Sequence, residues 1–140
     1  MSFSWIRDNP PRWDAYKKRL IAEAPVGIFD TRYTSLVPGD PVAGEWWRVL
    51  DGDQVVGFGW LDVVWGDAEI LLATAPDARG RGVGAFILER LDAEARERGL
   101  NYLYNIVRTT HPEGAKVTAW LQKHGFHTDV DGRLVRAVKR

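Results

Sequence analysis

The sequence predicts one α/β (α+β) domain over residues 1–140, with a mostly antiparallel sheet. First, 140 residues with 45% hydrophobic content fit a single domain that buries about two thirds of its unfolded surface. Second, three strand-like runs follow one another through tight turns between residues 45 and 75. Third, amphipathic helical patterns alternate with strand-like segments in the remainder of the chain.

The N-terminal third predicts a strand, a helix and a long irregular segment. Phe3–Arg7 is the strand, and Asp8-Asn9-Pro10-Pro11 has the composition of a helix start, a capping side chain followed by proline. The apolar residues that follow at helical spacing are Trp13, Tyr16, Leu20 and Ala24. The basic residues expected on the opposite, solvated face are Lys17, Lys18 and Arg19. Residues 26–44 are expected to be irregular because of their prolines and glycines.

The segment 45–75 predicts an antiparallel meander. Glu45–Leu50 and Gln54–Val64 are strand-like and are joined by Asp51-Gly52-Asp53, a hairpin signal. A second turn at residues 65–67 leads into Ala68–Ala75, a short apolar run typical of a buried strand. The glycines within the second strand, Gly57 and Gly59, indicate a bulge or close packing by a neighbour or a ligand.

The last part predicts two helices and two strand regions. Gly82–Arg98 carries an apolar stripe and ends at Gly99, followed by a β-rich run over 100–107. Thr110-His111-Pro112-Glu113 has the form of a capping box that opens a helix ending at Gly125. A final hairpin is expected over Phe126–Val138, with its turn at residues 131–132.

Composition excludes several classes of function. The absence of cysteine removes disulfides, thiol nucleophiles and cysteine-bound metals. Nineteen basic residues balance nineteen acidic ones, so we expect neither a nucleic-acid nor a membrane partner. The three histidines lie on different predicted elements without acidic partners at ligand spacing, so we expect no metal. The chain has no long apolar run and its first eight residues do not form a signal peptide, so a cytoplasmic protein is expected.

Residues 79–85, Arg-Gly-Arg-Gly-Val-Gly-Ala, lie between a buried strand and the strongest helix. The glycines let the backbone turn sharply and approach a ligand, and the first amides of a helix have no partner within it. Such a helix start suits a pyrophosphate. The segment lacks the Gly-Lys-Ser/Thr of a Walker A loop, and its glycine spacing does not match a dinucleotide-binding fingerprint.

The sequence here resembles the GNAT superfamily of acyl-CoA-dependent N-acyltransferases. Arg79–Gly84 matches its (Gln/Arg)-x-x-Gly-x-(Gly/Ala) signature. Residues 69–79 and 100–107 resemble its fourth and fifth strands, and Trp120–Phe126 resembles its closing Phe-Tyr-x-x-x-Gly-Phe motif. The resemblance covers about residues 45–127, while the N-terminal third agrees in element order only.

That resemblance implies a strongly curved sheet with helices on both faces, splayed between its fourth and fifth strands to admit acetyl-CoA. The residues implied to hold the pyrophosphate are Arg79, Gly80, Arg81, Gly82, Val83, Gly84 and Ala85, with Phe86 in the same helical turn. Those implied to contact the pantetheine arm and the thioester carbonyl through their backbone are Ala73, Thr74 and Ala75. From composition alone, residues 73–75 are simply a buried strand.

The resemblance also implies a base and leaves the acid open. Glu69 matches a position at which several family members carry a catalytic glutamate, and the lesser candidates are Glu45 and Asp62. Many members use a tyrosine to protonate the departing thiolate, but Leu121 stands at that position here. The possible substitutes are Tyr104, His111, Tyr102 and a water molecule.

Three functions follow as hypotheses. The first is an N-acetyltransferase in which a small-molecule or peptide amine attacks acetyl-CoA directly, since a cysteine acyl-enzyme is excluded. The second is a non-catalytic acetyl-CoA-binding module that regulates a protein partner, and the third is a structural domain with a vestigial loop. The acceptor stays open, and the Trp-rich hairpin together with Leu134–Val138 is a candidate seam for a homodimer.

Overall fold

The computed structural model of the chain describes residues 2–140, so Met1 of the N-terminal segment lies outside it. One seven-stranded sheet has the order β1-β2-β3-β4-β5-β7-β6, and only its β4–β5 pair is parallel. The strands are β1 (Phe3–Arg7), β2 (Glu45–Asp51), β3 (Gln54–Val64), β4 (Asp67–Thr74), β5 (Tyr102–Asn105), β6 (His127–Thr128) and β7 (Leu134–Ala137). The predicted fold class is therefore confirmed.

The helices cover both faces of the sheet, as expected. They are α1 (Ala15–Lys17), which continues as a π-helical turn (Lys18–Ala22), α2 (Val83–Glu97) and α3 (Gly114–Lys123). A 3₁₀ helix, Thr31–Ser35, lies within the otherwise irregular segment 26–44. Adjacent residues of a strand point to opposite faces. Gly57 accordingly contacts α2, whereas Phe58 faces the segment that contains α1.

The close packing expected at the two strand glycines is confirmed. A Cβ atom at Gly57 would lie 2.8 Å from the Ala73 carbonyl oxygen and 2.9 Å from Val83. One at Gly59 would lie 2.6 Å from the Trp5 ring. These glycines therefore let α2 pack directly on the backbone of the sheet.

The predicted start of the first helix is wrong. The cap is Asp14, whose carboxylate accepts a hydrogen bond from the Lys17 amide at 2.8 Å. Asp8 is instead paired with Arg48 of β2, at 2.8 Å. The side chain predicted to cap the helix, Asp8, therefore forms an ion pair with a residue that is distant in sequence.

The expectation that Lys17 is solvated is also wrong, because its side chain is fully buried. Its Nζ donates to Asp8 at 2.5 Å and to the Arg12 carbonyl at 2.8 Å. The ammonium also lies 5.4 Å from the centroid of the Trp46 ring. Lys17, Asp8, Asp14 and Arg48 form a charged cluster that attaches α1 to the sheet.

The capping box at residues 110–113 does not form. Thr110 Oγ1 donates to the Gly27 carbonyl at 2.8 Å, and α3 starts only at Gly114. Gly27 has a φ of +99°, and a Cβ there would lie 2.1 Å from the Thr110 carbonyl oxygen. The contact joins the segment after α1 to the segment before α3.

Most tryptophans of the Trp-rich hairpin belong to the core. Trp46, Trp47 and Trp60 are buried, while Trp65 in the β3–β4 turn is 98% exposed. Leu134 and Val138 of the candidate seam are buried as well. Within residues 2–140, no helix combines the length and apolar character needed to cross a membrane.

We expect Lys17→Met to lower the free energy of unfolding by about 3 kcal/mol, because it leaves the buried Asp8 carboxylate with one cation fewer. The matched control is Lys18→Met, an exposed neighbour, which should change it by less than about 0.5 kcal/mol. Urea unfolding of both variants makes the measurement. Equal stability of the two would contradict a structural role for the charged cluster.

Candidate active site

The sheet opens between β4 and β5. These strands pair at Ala68 with Leu103 and at Glu69 with Tyr104, and then they diverge. At the point of divergence, the side chain of Asn105 donates from Nδ2 to the Ile70 carbonyl at 2.8 Å. Asn105 is only 9% exposed. A buried side-chain amide thus satisfies the next β4 carbonyl while the two backbones move apart.

Beyond this point β4 has a free edge. The Ala75 amide donates to the Val56 carbonyl at 2.8 Å, and backbone groups alternate in direction along a strand. Ala73 and Ala75 therefore turn their N–H and C=O groups towards β3, whereas those of Leu72 and Thr74 point into the opening. Of residues 73–75, Thr74 therefore lies on the free edge, and the Ala75 amide already donates to β3.

A continuous cleft of about 400 Å³ occupies the opening. One side is formed by the segment after α1, including Leu20, Ala24 and Phe29, and the other by residues 105–108 and α3. The contact between Thr110 and Gly27 joins the two sides over the cleft. Arg79 lines the mouth where β4 leads to α2.

The glycine-rich segment beside this mouth has an open conformation. Gly80 and Gly82 have φ angles of +77° and +83°, and no heavy atom lies within 4 Å of a Cβ placed on either. The Phe86 amide donates to the Gly82 carbonyl at 3.0 Å. The amides of residues 83–85 precede that bond and have no partner within the helix. They form an electropositive helix start that fits a diphosphate.

The two arginines of this segment differ in position. Arg79 lines the cleft, whereas the Arg81 guanidinium lies 3.7 Å from Asp51 in the β2–β3 hairpin. Trp120 of α3 lies beside Gly84, with its ring 3.4 Å from where a Cβ would be. The mouth is therefore bordered by one arginine, a set of free amides and an indole ring.

Glu69 lies on β4 directly opposite Asp62 of β3 and beside Tyr104 of β5. It shares its face of the sheet with Leu71, which lines the cleft. Burial and the nearby Asp62 charge raise the pKa of Glu69 above its ordinary value, against an opposing effect of Arg32. Glu45 lies elsewhere and is paired with Arg7, at 3.1 Å, and with Arg98.

The candidate proton donors lie in two places. Tyr104 is buried beside Glu69, with the Arg133 guanidinium 4.9 Å above its ring. Burial and the Glu69 charge raise the pKa of Tyr104. His111 lines the cleft, and its Nδ1 accepts a hydrogen bond from the Glu113 amide at 2.9 Å. That bond places the proton of the neutral ring on Nε2.

The other two residues considered for proton transfer are placed differently. Leu121 is buried and lines the cleft, whereas Tyr102 is about half exposed at the start of β5. The structure therefore brings Glu69 and Tyr104 together and sets His111 apart from them.

Asn105 was missed in the sequence. The signal was present, because asparagine is disfavoured in strands and this one lies within the β-rich run over 100–107. Its partner, the Ile70 carbonyl, lies 35 positions away. No local pattern indicates that contact.

The model of a family described as "Acetyltransferase (GNAT) domain" matches residues 43–128. The chain belongs to the GNAT acetyltransferase family. A solved structure of a GNAT-family protein from Desulfovibrio desulfuricans is similar to this chain, with a TM-score of 0.75 and 16% sequence identity. The match covers 99% of this chain and 100% of that one. Among curated proteins, no sequence matches this GNAT chain.

Two further solved structures are similar to this GNAT domain. The ribosomal-protein-S18-alanine N-acetyltransferase from Escherichia coli is 21% identical, covering 68% of this chain and 69% of that one, with a TM-score of 0.55. N-acetylglutamate synthase from Neisseria gonorrhoeae, complexed with coenzyme A and N-acetyl-glutamate, is also 21% identical. It covers 68% of this chain and 26% of that one, with a TM-score of 0.59. At these identities the likeness concerns the GNAT fold.

We expect Asn105→Ala to lower the free energy of unfolding by about 1–3 kcal/mol, because the buried Ile70 carbonyl loses its donor. The matched control is Asn101→Ala, in which the asparagine replaced is exposed. Urea unfolding compares the two variants. If Asn105→Ala is as stable as the control, the side chain does not support the opening of the sheet.

Proposed function

We propose that this protein is an N-acetyltransferase that moves the acetyl group of acetyl-CoA to an amine by direct attack in a ternary complex. The observation that carries the proposal is a cleft with two features that match the chemistry of the donor. Its floor is the free edge of β4, and Arg79, which precedes the glycine-rich start of α2, lines its mouth. Membership of the GNAT family supports the same reading.

The chain's own groups fit this donor. The free amides of residues 83–85, the open loop at Gly80 and Gly82, and the Arg79 guanidinium would hold the diphosphate. The free N–H and C=O groups of Leu72 and Thr74 would pair with the pantetheine amides as an added strand does. When bound, acetyl-CoA supplies an acyl group activated as a thioester.

In this proposal Glu69 accepts the proton of the incoming amine, directly or through water. An ammonium has no lone pair, so attack requires a base. The burial that raises the Glu69 pKa brings the carboxylate closer to the pKa that suits this role at neutral pH. As the nitrogen–carbon bond forms, the carbon–sulfur bond breaks and the sulfur requires a proton or a hydrogen bond.

For the sulfur we propose His111. Its Nε2–H is free because Nδ1 is engaged by the Glu113 amide, and the ring lines the cleft. Leu121 cannot donate a proton, and Tyr104 lies beside Glu69 and does not line the cleft. The acceptor is proposed to be a small-molecule or peptide amine, in keeping with the acceptors that the names of the similar enzymes indicate.

A second candidate function is a regulatory module that binds acetyl-CoA without turnover. Leu121 favours this regulatory function, because it stands at the position where many family members have the tyrosine that donates a proton to the thiolate. The two functions share donor binding and differ in whether an amine accelerates the release of free CoA.

We expect the native protein to bind acetyl-CoA in a calorimetric titration, and Gly82→Ala to weaken binding roughly five- to thirtyfold. The left-handed φ at this position costs alanine about 1–2 kcal/mol. The free loop of the variant therefore adopts another conformation, and acetyl-CoA binding must supply the energy that restores the left-handed one. Gly84→Ala is the matched control, because Gly84 lies outside the left-handed region and a Cβ would only touch Trp120. Absence of binding by the native protein would overturn the proposal.

We expect Glu69→Gln to lower turnover about 100-fold or more and to leave the calorimetric affinity for acetyl-CoA unchanged. In the native enzyme kcat/KM should rise with pH as Glu69 loses its proton. Because the pKa of Glu69 is raised, this rise should occur at a higher pH than for an ordinary glutamate. The Gln variant should lack this rise. Asp62→Asn removes a like charge and should move the rise to lower pH while activity remains.

The assay is release of free CoA across a panel of amines. If native protein binds acetyl-CoA but no amine accelerates release, the regulatory function is favoured. If Glu69→Gln keeps full activity, the carboxylate is not the base.

A further inference from the structure

A small void lies behind β4, on the face opposite α2. Its volume is about 10 Å³, and its walls include the aromatic side chains of Tyr33, Trp46, Phe58 and Trp60. It is distinct from the cleft, yet Phe29, Leu71, Leu72 and Ala73 border both spaces. The void and the cleft are therefore neighbours along β4.

The void presents apolar surface. Trp46 and Trp60 both direct their indole N–H to the Ala43 carbonyl, at 3.0 Å each. The Tyr33 hydroxyl accepts from Arg32 at 3.5 Å. The polar atoms of the walls are therefore engaged elsewhere, and a water molecule inside would lack the partners that hold buried water.

The walls resist collapse into this space. Tyr33 stacks on Trp13 with ring centroids 5.8 Å apart and meets Trp46 edge to face at 6.5 Å. Trp46 in turn meets Phe58 edge to face at 6.2 Å. Because these rings pack closely against one another, they cannot move into the void, whereas flexible side chains would fill it.

The position of the void relates it to the proposed reaction. The proposed function pairs the pantetheine amides with the free backbone groups of Leu72 and Thr74, so the acyl group at the end of that arm lies along β4 near Leu71 and Ala73, which border the void. We infer that the void is an acyl-chain pocket that admits one carbon beyond acetyl, so that the protein takes propionyl-CoA as a donor. This inference rests on the proposed function.

The chemistry of transfer is the same for both donors. The propionyl carbon–sulfur bond breaks and a nitrogen–carbon bond forms, while the amine proton passes to Glu69 and the sulfur leaves as CoA. A volume of about 10 Å³ is about one water-sized sphere and suits a single methyl group. Burial of one methylene favours binding about fourfold, and a butyryl chain exceeds the space.

The test is calorimetric titration of the native protein with acetyl-CoA, propionyl-CoA and butyryl-CoA. We expect propionyl-CoA to bind about fourfold more tightly than acetyl-CoA, and butyryl-CoA to bind more weakly than propionyl-CoA. This measurement needs no knowledge of the acceptor. Equal or weaker binding of propionyl-CoA overturns the inference.

Two variants of β4 make a matched pair. Ala73→Val places two methyl groups at the border of the void and should abolish the preference for propionyl-CoA. Thr74→Val changes a residue that lines the cleft but not the void, so the ratio of the two affinities should stay as in the native protein. An unchanged ratio in Ala73→Val, or a lost preference in Thr74→Val, overturns the assignment.

A third variant keeps the test decisive if Ala73→Val does not fold. Phe29 is only partly buried and borders the void, so Phe29→Ala should enlarge it and shift the preference towards butyryl-CoA. Failure of the native protein to bind any of the three thioesters overturns the proposed function and the inference together. Binding of all three with equal affinity overturns the inference alone.

Discussion

The hydrogen bond from Asn105 to the Ile70 carbonyl stands where a continuous sheet becomes an open one. A backbone bond at this place would hold β5 at the usual strand spacing and close the cleft. An amide on a side chain satisfies the same buried carbonyl from farther away, so the strands separate without leaving an unpaired group. This side-chain hydrogen bond, which replaces a backbone hydrogen bond, keeps the edge of β4 free. The cleft and the access to the start of α2 depend on that free edge.

The parts of the molecule that the sequence predicts well are those governed by neighbouring residues. The meander follows from its turns and alternation, and β3 has the bounds that the pattern indicates. The left-handed φ angles of Gly80 and Gly82 match a segment whose glycines require a sharp turn. Helix α2 follows from its apolar stripe, and its end is fixed by Gly99.

The errors share a physical cause, which is competition from a distant partner. Asp8 looks like a cap but is paired with Arg48, and Thr110 looks like a cap but donates to Gly27. Lys17 follows a surface pattern, yet two carboxylates and an aromatic wall stabilise its charge in the core. The direction of the backbone groups along β4 depends on its register with β3, which periodicity alone does not specify.

The floor and one side of the cleft are formed by different kinds of group, and this affects how the protein can change. The free edge of β4 and the nearby start of α2 present mostly backbone peptide groups. Most amino-acid substitutions leave those groups in place. The side formed by Leu20, Ala24 and Phe29 consists of side chains, and each substitution there changes its shape. Substitutions can therefore diversify the ligand that contacts this side while the backbone groups keep binding the same one.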